Sequence, residues 1–338
     1  MKFESVPIGE AGGLILGHNV TGTTGRRVLR KGRELSAGDL ATLTDLGRTA
    51  VYVARLEPGD VTENSAAGRI GRVATGGGLR RSRAHTGRVN LYAETLGLLR
   101  LDRQRLIELN ACDGITVATL PRHSVARQGK MVATIKIIPY ALPEATVLGA
   151  EAVAPGLLHL DLLTSRSVGL ILSGSAAARE RISRGFREAL APRLETLGAQ
   201  LDSVDFVTLD DEADEELLAA AIRRRREAGD DLLILAGETA IMDRDDITPR
   251  AVERAGGVVE SYGAPVDPGN LLLLAYHGEV PILGAPGCAR SPKHNIIDLV
   301  LPRLLAGDRL TSRDIAALGH GGLLEDVPER PLPRSWIS

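Results

Sequence analysis

The chain has 338 residues, a formal net charge of −2 and only 3% aromatic residues. Length allows two or three domains and a sizeable core. The near-neutral charge gives no basic field for nucleic acid or anionic membrane, and scarce aromatics argue against base-stacking platforms. Cys112 and Cys288 lie far apart and form no metal or redox motif, which fits a reduced intracellular setting. Met1–Gly12 is too polar for a signal peptide, and no apolar run approaches the ~18 residues of a membrane span. A cytoplasmic protein is expected.

Residues 1–75 read as a first α+β unit. Leu14-Ile15-Leu16 suggests a short strand, and Gly25–Leu35 is turn-rich and basic. Ser36 is a good N-cap ahead of Leu40, Leu43 and Leu46 at helical spacing, with Gly47 as a stop. Ala50–Ala54 alternates as a strand, and Asn64–Val73 is a small-residue helix. Gly76-Gly77-Gly78 lacks the Lys and Ser/Thr of a P-loop and reads as a flexible hinge. Residues 76–150 form a second, strand-rich α+β unit. Arg80–Asn90 is polar and basic, suited either to an anionic ligand or to water. A helix is expected over Asp102–Asn110 and strands over Ile115–Leu120 and Met131–Ile138. His85 and His123 have no ligand partners nearby in sequence. Pro143–Pro155 reads as a mixed linker.

From about residue 160 to 307, strands alternate with helices, the pattern of βαβ units and a mostly parallel sheet. Val168–Leu172 is a buried strand ending in the small turn Ser173-Gly174-Ser175. The helical pattern from Ile182 to Leu197 contains Pro192, so a kink or two short helices are expected. Ser203–Leu209 is a strand with Asp210-Asp211 at its carboxyl end, an acidic pair that also suits an ordinary helix entry. The helix Glu212–Ala228 follows, and its Arg223–Arg226 run reads as a solvated face. Leu232–Ala236 is an unbroken apolar strand, then come Gly237 and the acids Asp243, Asp245 and Asp246 around Arg244, then a helix from Thr248-Pro249. Gly257–Tyr262, Leu271–Tyr276 and Val280–Leu283 are further strands, the last two joined through His277-Gly278-Glu279. Ser291 and Pro292 suit the N-cap and N1 of a helix over His294–Leu305. Residues 308–338 form a C-terminal tail with one short helix and a Pro/Arg-rich, partly mobile end.

Ligands of open α/β sheets sit at the carboxyl ends of the strands. Here those ends carry Ser173–Ser175, Asp210-Asp211, Gly237–Asp246 and Pro286–Pro292. Free backbone amides in such turns favour phosphate, and carboxylates beside phosphate imply Mg²⁺. Asp243, Asp245 and Asp246 are the candidate metal ligands.

Leu235-Ala236-Gly237-Glu238-Thr239-Ala240 and Asp246-Ile247-Thr248-Pro249 resemble the Gly-Gly-Thr-Gly…Asp-x-Thr-Pro signature of the molybdopterin-binding domain. Asp210-Asp211 matches that family's acidic pair, Pro286-Gly287-Cys288 its Pro-Gly-Asn-Pro loop, and Ser173-Gly174-Ser175 its first-strand turn. Leu29–Leu35 and Asp60-Val61 look like the N-terminal part of molybdopterin molybdotransferases. Thr86–Asn90 and Val132–Pro139 look like the module that other proteins fuse to a nucleotidyltransferase. The resemblance covers about residues 1–307. It implies a three-layer sheet domain that binds molybdopterin or its nucleotide adduct with Mg²⁺, with molybdate and ATP or CTP as further substrates, in a homo-oligomer. Asp246, Asp210 and Asp211 would then be catalytic. Ser173, Gly174, Ser175, Gly237, Glu238, Thr239 and Thr248 would line the phosphate, and Pro286, Gly287 and Ser291 the pterin end. The sequence departs from the signature at Glu238, where the family has glycine, and at Ala240 and Cys288-Ala289. A carboxylate at 238 repels phosphate unless a metal or Arg244 compensates. Three readings therefore stand: a transferase of cofactor synthesis, a non-catalytic carrier or insertion protein, or a nucleotide hydrolase or amidohydrolase on the same domain.

Overall fold

Apolar alternation in the first half of the chain and apolar runs in the second give two differently built units, Met1–Asp161 and Leu162–Ser338. The computed structural model describes residues 1–164, 166–209 and 214–324. The expected mobile end of the tail lies outside them.

In the first unit, Lys2–Pro7 pairs antiparallel with Ala50–Arg55, and Ile15–Leu16 joins the other edge of that strand. Val6, Leu16, Leu43 and Val53 form the core beneath. The helix Ala37–Asp45 starts at Ser36 as expected: the Ser36 hydroxyl accepts from the Asp39 amide, and the Asp39 carboxylate accepts from the Ser36 amide. A second core lies under a four-stranded sheet in the order Ile115–Thr119, Met131–Ile137, Arg88–Ala93, Leu79–Arg81. The small residues of the helix Glu63–Ala74 allow it to approach closely: a Cβ on Gly71 would lie 2.9 Å from Val89.

Two sequence expectations fail here. Gly76–Gly78 is not a hinge. The Gly76 amide donates to Leu158 O at 2.7 Å, and the Leu160 amide donates to Gly77 O. A Cβ on Gly76 would lie 2.7 Å from that same Leu158 oxygen, so these glycines serve the close approach of two backbones. Pro143–Pro155 is not a linker but holds the helix Glu144–Val153. Val147 and Ala150 are buried, and Arg69 clamps the helix through Glu144 and Glu151.

The second unit is built on β1 (Ser167–Gly174), α1 (Arg179–Thr196), β2 (Gln200–Thr208), α2 (Glu215–Glu227), β3 (Leu232–Gly237), α3 (Ile247–Arg254), β4 (Val258–Tyr262), β5 (Leu273–His277), β6 (Val280–Gly284), α4 (Ile296–Leu305) and α5 (Ser312–Ala317). The six strands form one sheet in the order β2-β1-β3-β6-β5-β4. The pairs β1–β2, β1–β3 and β3–β6 are parallel, and β5 is antiparallel to both β6 and β4. Ile171, Leu233, Leu235 and Ile282 pack with Leu218, Ile222, Ala251 and Val252 of α2 and α3. Leu170, Leu172 and Ile234, on the opposite side of the pleat, are also fully buried.

Pro192 lies inside the single helix α1 and does not divide it. Its neighbour Arg193 holds this stretch in place by donating to Asp298 Oδ1 at 2.9 Å and to the carbonyls of Ser291 and Lys293. Helix α4 starts later than expected. Its N-cap is Asn295, in a capping box with Asp298, because Ser291 closes a 3₁₀ turn over Gly287–Arg290. Helix α3 also has a different cap from the one expected: Asp246 caps it and Thr248-Pro249 lies inside the first turn. Among the described residues no helix is long and apolar enough to cross a membrane.

Candidate functional site

The chain runs from β1 to β2 on one side of the sheet, then crosses back to β3 on the other side of β1. The loops leaving β1 and β3 therefore diverge, and a crevice opens between them at the carboxyl ends of the two strands. Ser173 pairs with Gly237 at the last rung, and the ladder continues one residue further through the Glu238 amide to Ser173 O at 2.9 Å. This pairing sets Glu238 directly beside the Ser173-Gly174-Ser175 turn. A Cβ on Gly174 would lie 2.7 Å from the Cβ of Glu238, so only glycine permits the two loops to meet so closely.

A cavity of about 410 Å³ occupies the crevice. Of the site residues expected from sequence, Ser173, Gly174, Ser175, Glu238, Thr239, Asp245, Asp246 and Thr248 line it, joined by Leu209, Ala240, Ile241, Ile247 and Arg250. Gly237 ends the strand behind it. Asp243, Pro286, Gly287 and Ser291 are not in its wall. The last three belong to the loop after β6, which is drawn toward α1 by Arg193. Asp210 and Asp211 lie outside the described residues.

The carboxylates of the cavity have distinct partners. Asp246 accepts from the Met242 amide through Oδ2 at 3.0 Å and from the Ile247 amide through Oδ1 at 2.8 Å. Both oxygens thus hold the loop and the start of α3. Asp243 Oδ1 accepts from the Asp245 amide at 2.9 Å, an Asx turn outside the wall. Among the described residues no three His, Cys, Asp or Glu side chains gather as a metal site, so Asp243, Asp245 and Asp246 do not converge as the ligand set their spacing suggested. Tyr262 backs the same loop, with its hydroxyl 3.4 Å from Ile241 O. Burial pushes the Tyr262 hydroxyl up from its usual range, and the charges of Asp243 and Asp246 add to the shift. Arg250, which reaches the cavity wall, pairs with Glu215 of α2 at 2.9 Å.

Glu238 reaches across the crevice. Its Oε2 accepts from the Ser175 amide at 2.9 Å and from the Ser175 hydroxyl at 2.8 Å, while Oε1 accepts from Arg181 Nη2 at 3.1 Å. The Ser175 amide and then its hydroxyl hold the carboxyl below the usual glutamate range against the opposing effect of burial, and the charge of Arg181 adds a smaller push in the same direction. The cation that compensates Glu238 is therefore Arg181, one of a pair of arginines at the start of α1, and not Arg244. Sequence reasoning missed Arg181, although its place six residues after Ser175, in the first turn of the helix leaving β1, was a usable signal.

Residues 5–55 match a protein family described as Domain of unknown function (DUF8806). That stretch begins within the strand Lys2–Pro7, ends with the strand Ala50–Arg55 and lies apart from the cavity-lining sequence. No curated protein matches the chain. Among solved structures it is similar to a molybdenum cofactor biosynthesis protein from Pyrococcus furiosus, at 13% identity and a TM-score of 0.25, over 94% of this chain and 65% of that one. The chain thus spans less than two thirds of that protein's length. It is also similar to molybdenum cofactor biosynthesis protein B, at 16% identity and a TM-score of 0.29, over 41% of this chain and 94% of that one. Overlaps this loose assign no role to any residue of this chain.

Proposed function

We propose that the second unit binds molybdopterin or its nucleotide adduct in the crevice between β1 and β3, as a protein of molybdenum cofactor biosynthesis. The observation that carries this reading is the cavity itself. It lies at the reversal point of the sheet, its volume falls in the ~300–1,000 Å³ range of small-molecule sites, and its wall is made by the segments that resemble the family signature. In this reading the three layers are α1, the sheet, and α2 with α3. Ser173, Gly174, Ser175 and Thr239 offer amides and hydroxyls to a phosphate, and Pro286, Gly287 and Ser291, which stand outside the cavity wall, would meet only a pterin that extends past it toward the β6 loop.

Among the described residues Asp243, Asp245 and Asp246 do not gather as a Mg²⁺ ligand set. The Asp246 oxygens both accept from backbone amides, Asp243 stands outside the wall, and no third ligand joins them among the described residues. The carrier or insertion reading gains from Glu238, which fills the donor set that a transferring phosphate needs. Calorimetric titration with molybdopterin, alone and with Mg²⁺ and ATP or CTP, tests both levels. Binding that leaves the nucleotide intact is expected for the carrier, and consumption of the nucleotide marks a transferase. Absence of pterin binding under every condition removes the ligand assignment.

A further inference from the structure

We infer that the Glu238 carboxylate is a built-in competitor for an oxyanion position at the end of β1, and that an incoming phosphate group must displace it to bind. The inference deepens the proposed function, since it rests on the same crevice being an anion site. Three donors from two segments converge on this one carboxylate: the Ser175 amide, the Ser175 hydroxyl and the Arg181 guanidinium. Amide, hydroxyl and guanidinium are the donor set that a phosphate monoester takes, and charge-assisted bonds of this kind are among the stronger hydrogen bonds. The occupant is a tethered anion carried by the neighbouring strand. Its Cα is fixed through the Glu238 amide to Ser173 O, so its carboxylate is held at high local concentration.

The plug is also removable. The Glu238 side chain keeps 32% of its exposure and that of Arg181 keeps 60%, so both can rotate into solvent without opening a core. Ser175 itself sits in extended backbone, φ −62° and ψ 151°, and needs no rearrangement to present its amide. A bound phosphate beside an unmoved Glu238 would face like charge at contact distance, which forbids simultaneous occupancy. Displacement thus sets a threshold: weak oxyanions are excluded, and a ligand must supply binding energy from its remaining parts to clear the site.

The test is calorimetric titration of the full chain with inorganic phosphate and pyrophosphate at neutral pH and constant ionic strength. Glu238→Ala is expected to bind phosphate ~10-fold or more tighter than the parent protein, because a competing charge is gone and charge-assisted donors are freed. Glu238→Gln, which keeps the size but loses the charge, gives a smaller gain. The gain is abolished in Glu238→Ala/Ser175→Pro, which deletes both Ser175 donors at a φ that proline accepts, and reduced in Glu238→Ala/Arg181→Ala. Melting temperatures establish that each variant is folded, and Glu238→Gln decides the matter should Glu238→Ala not fold. Equal phosphate affinity in the parent and a folded Glu238 variant overturns the inference, as does a gain that survives Ser175→Pro. A phosphate gain without any molybdopterin binding keeps the plug and removes the pterin reading. Molybdopterin binding without a phosphate gain does the reverse.

Discussion

The loops after β3 and after β6 leave neighbouring parallel strands, yet they are held in opposite ways. The β6 loop is fixed from outside. Arg193, with its side chain only 10% exposed, donates to Asp298 and to the Ser291 and Lys293 carbonyls, and the buried Asn295 donates to Cys288 O and Lys293 O. The β3 loop is fixed mostly by itself, through Asp246 to Met242 and Ile247 and through Asp243 to Asp245. It reaches outward through Glu238, and from outside Tyr262 of β4 donates to its Ile241 carbonyl at 3.4 Å. A loop clamped by a helix has its polar groups committed to the scaffold. A loop that closes on its own backbone can leave a side chain facing the crevice, and that is where exchange with a ligand is feasible.

The largest expected effect follows from the clamp. Arg193→Ala should cost about 3 kcal/mol of unfolding free energy, since it takes the guanidinium from a partly buried pair with Asp298, which keeps only its capping-box partner Asn295 and His294, and removes the donor of two loop carbonyls. Chemical denaturation measures this, and a loss below about 1 kcal/mol would show that the β6 loop does not depend on α1. Next in size is Asp246. As the N-cap of α3, its change to Ala should cost about 1 kcal/mol, while Asp246→Asn, which can still accept at the cap, should cost far less. A catalytic or metal-holding Asp246 would behave differently. Asn would then impair ligand turnover as badly as Ala, with little difference between the two in stability.

The parts of the fold that were legible in the sequence were those with one dominant local signal. The apolar run Leu232–Ala236 has no competing reading, and it is the strand expected. Ser36 before the helical spacing of Leu40 and Leu43 marks the N-cap that forms, and the structure adds Asp39 to it as a capping box. The parts that were not legible depend on distant partners. Glu144–Val153 carries helical spacing at Val147 and Ala150, but the prolines at its ends and Gly149 within it obscure that pattern, and its anchor is Arg69, far back in the chain. Gly76–Gly78 looks free until Leu158 and Leu160 arrive beside it. At the site, sequence put four loops on one edge of the sheet; residues of the turns after β1 and β3 line the cavity, the loop after β6 stands outside its wall, and Asp210-Asp211 lies outside the described residues. Sequence could not show that the Asp246 oxygens face backbone amides, nor that Glu238 would find Arg181, because side-chain partners across a crevice are set by register and not by spacing.

The smallest effect expected sharpens the comparison most. The Glu238 carboxyl is held below the usual glutamate range, first by the Ser175 amide, then by its hydroxyl and by Arg181. A depressed folded-state value means the contact contributes stability at pH values above the unfolded glutamate range, and that contribution is lost as pH falls through the folded value. Glu238→Gln removes the titration, while Asp246→Asn probes the self-closed part of the same loop. The parent should therefore melt slightly above Glu238→Gln near neutral pH, and the two should converge as the pH is lowered past the folded-state value. Because the contact lies in solvent, the gap is small and narrows with added salt. Parallel melting curves across the whole acid range would mean that Glu238 does not hold Ser175 and Arg181 as a charge, and the β3 loop would then be as self-contained at residue 238 as it is at Asp246.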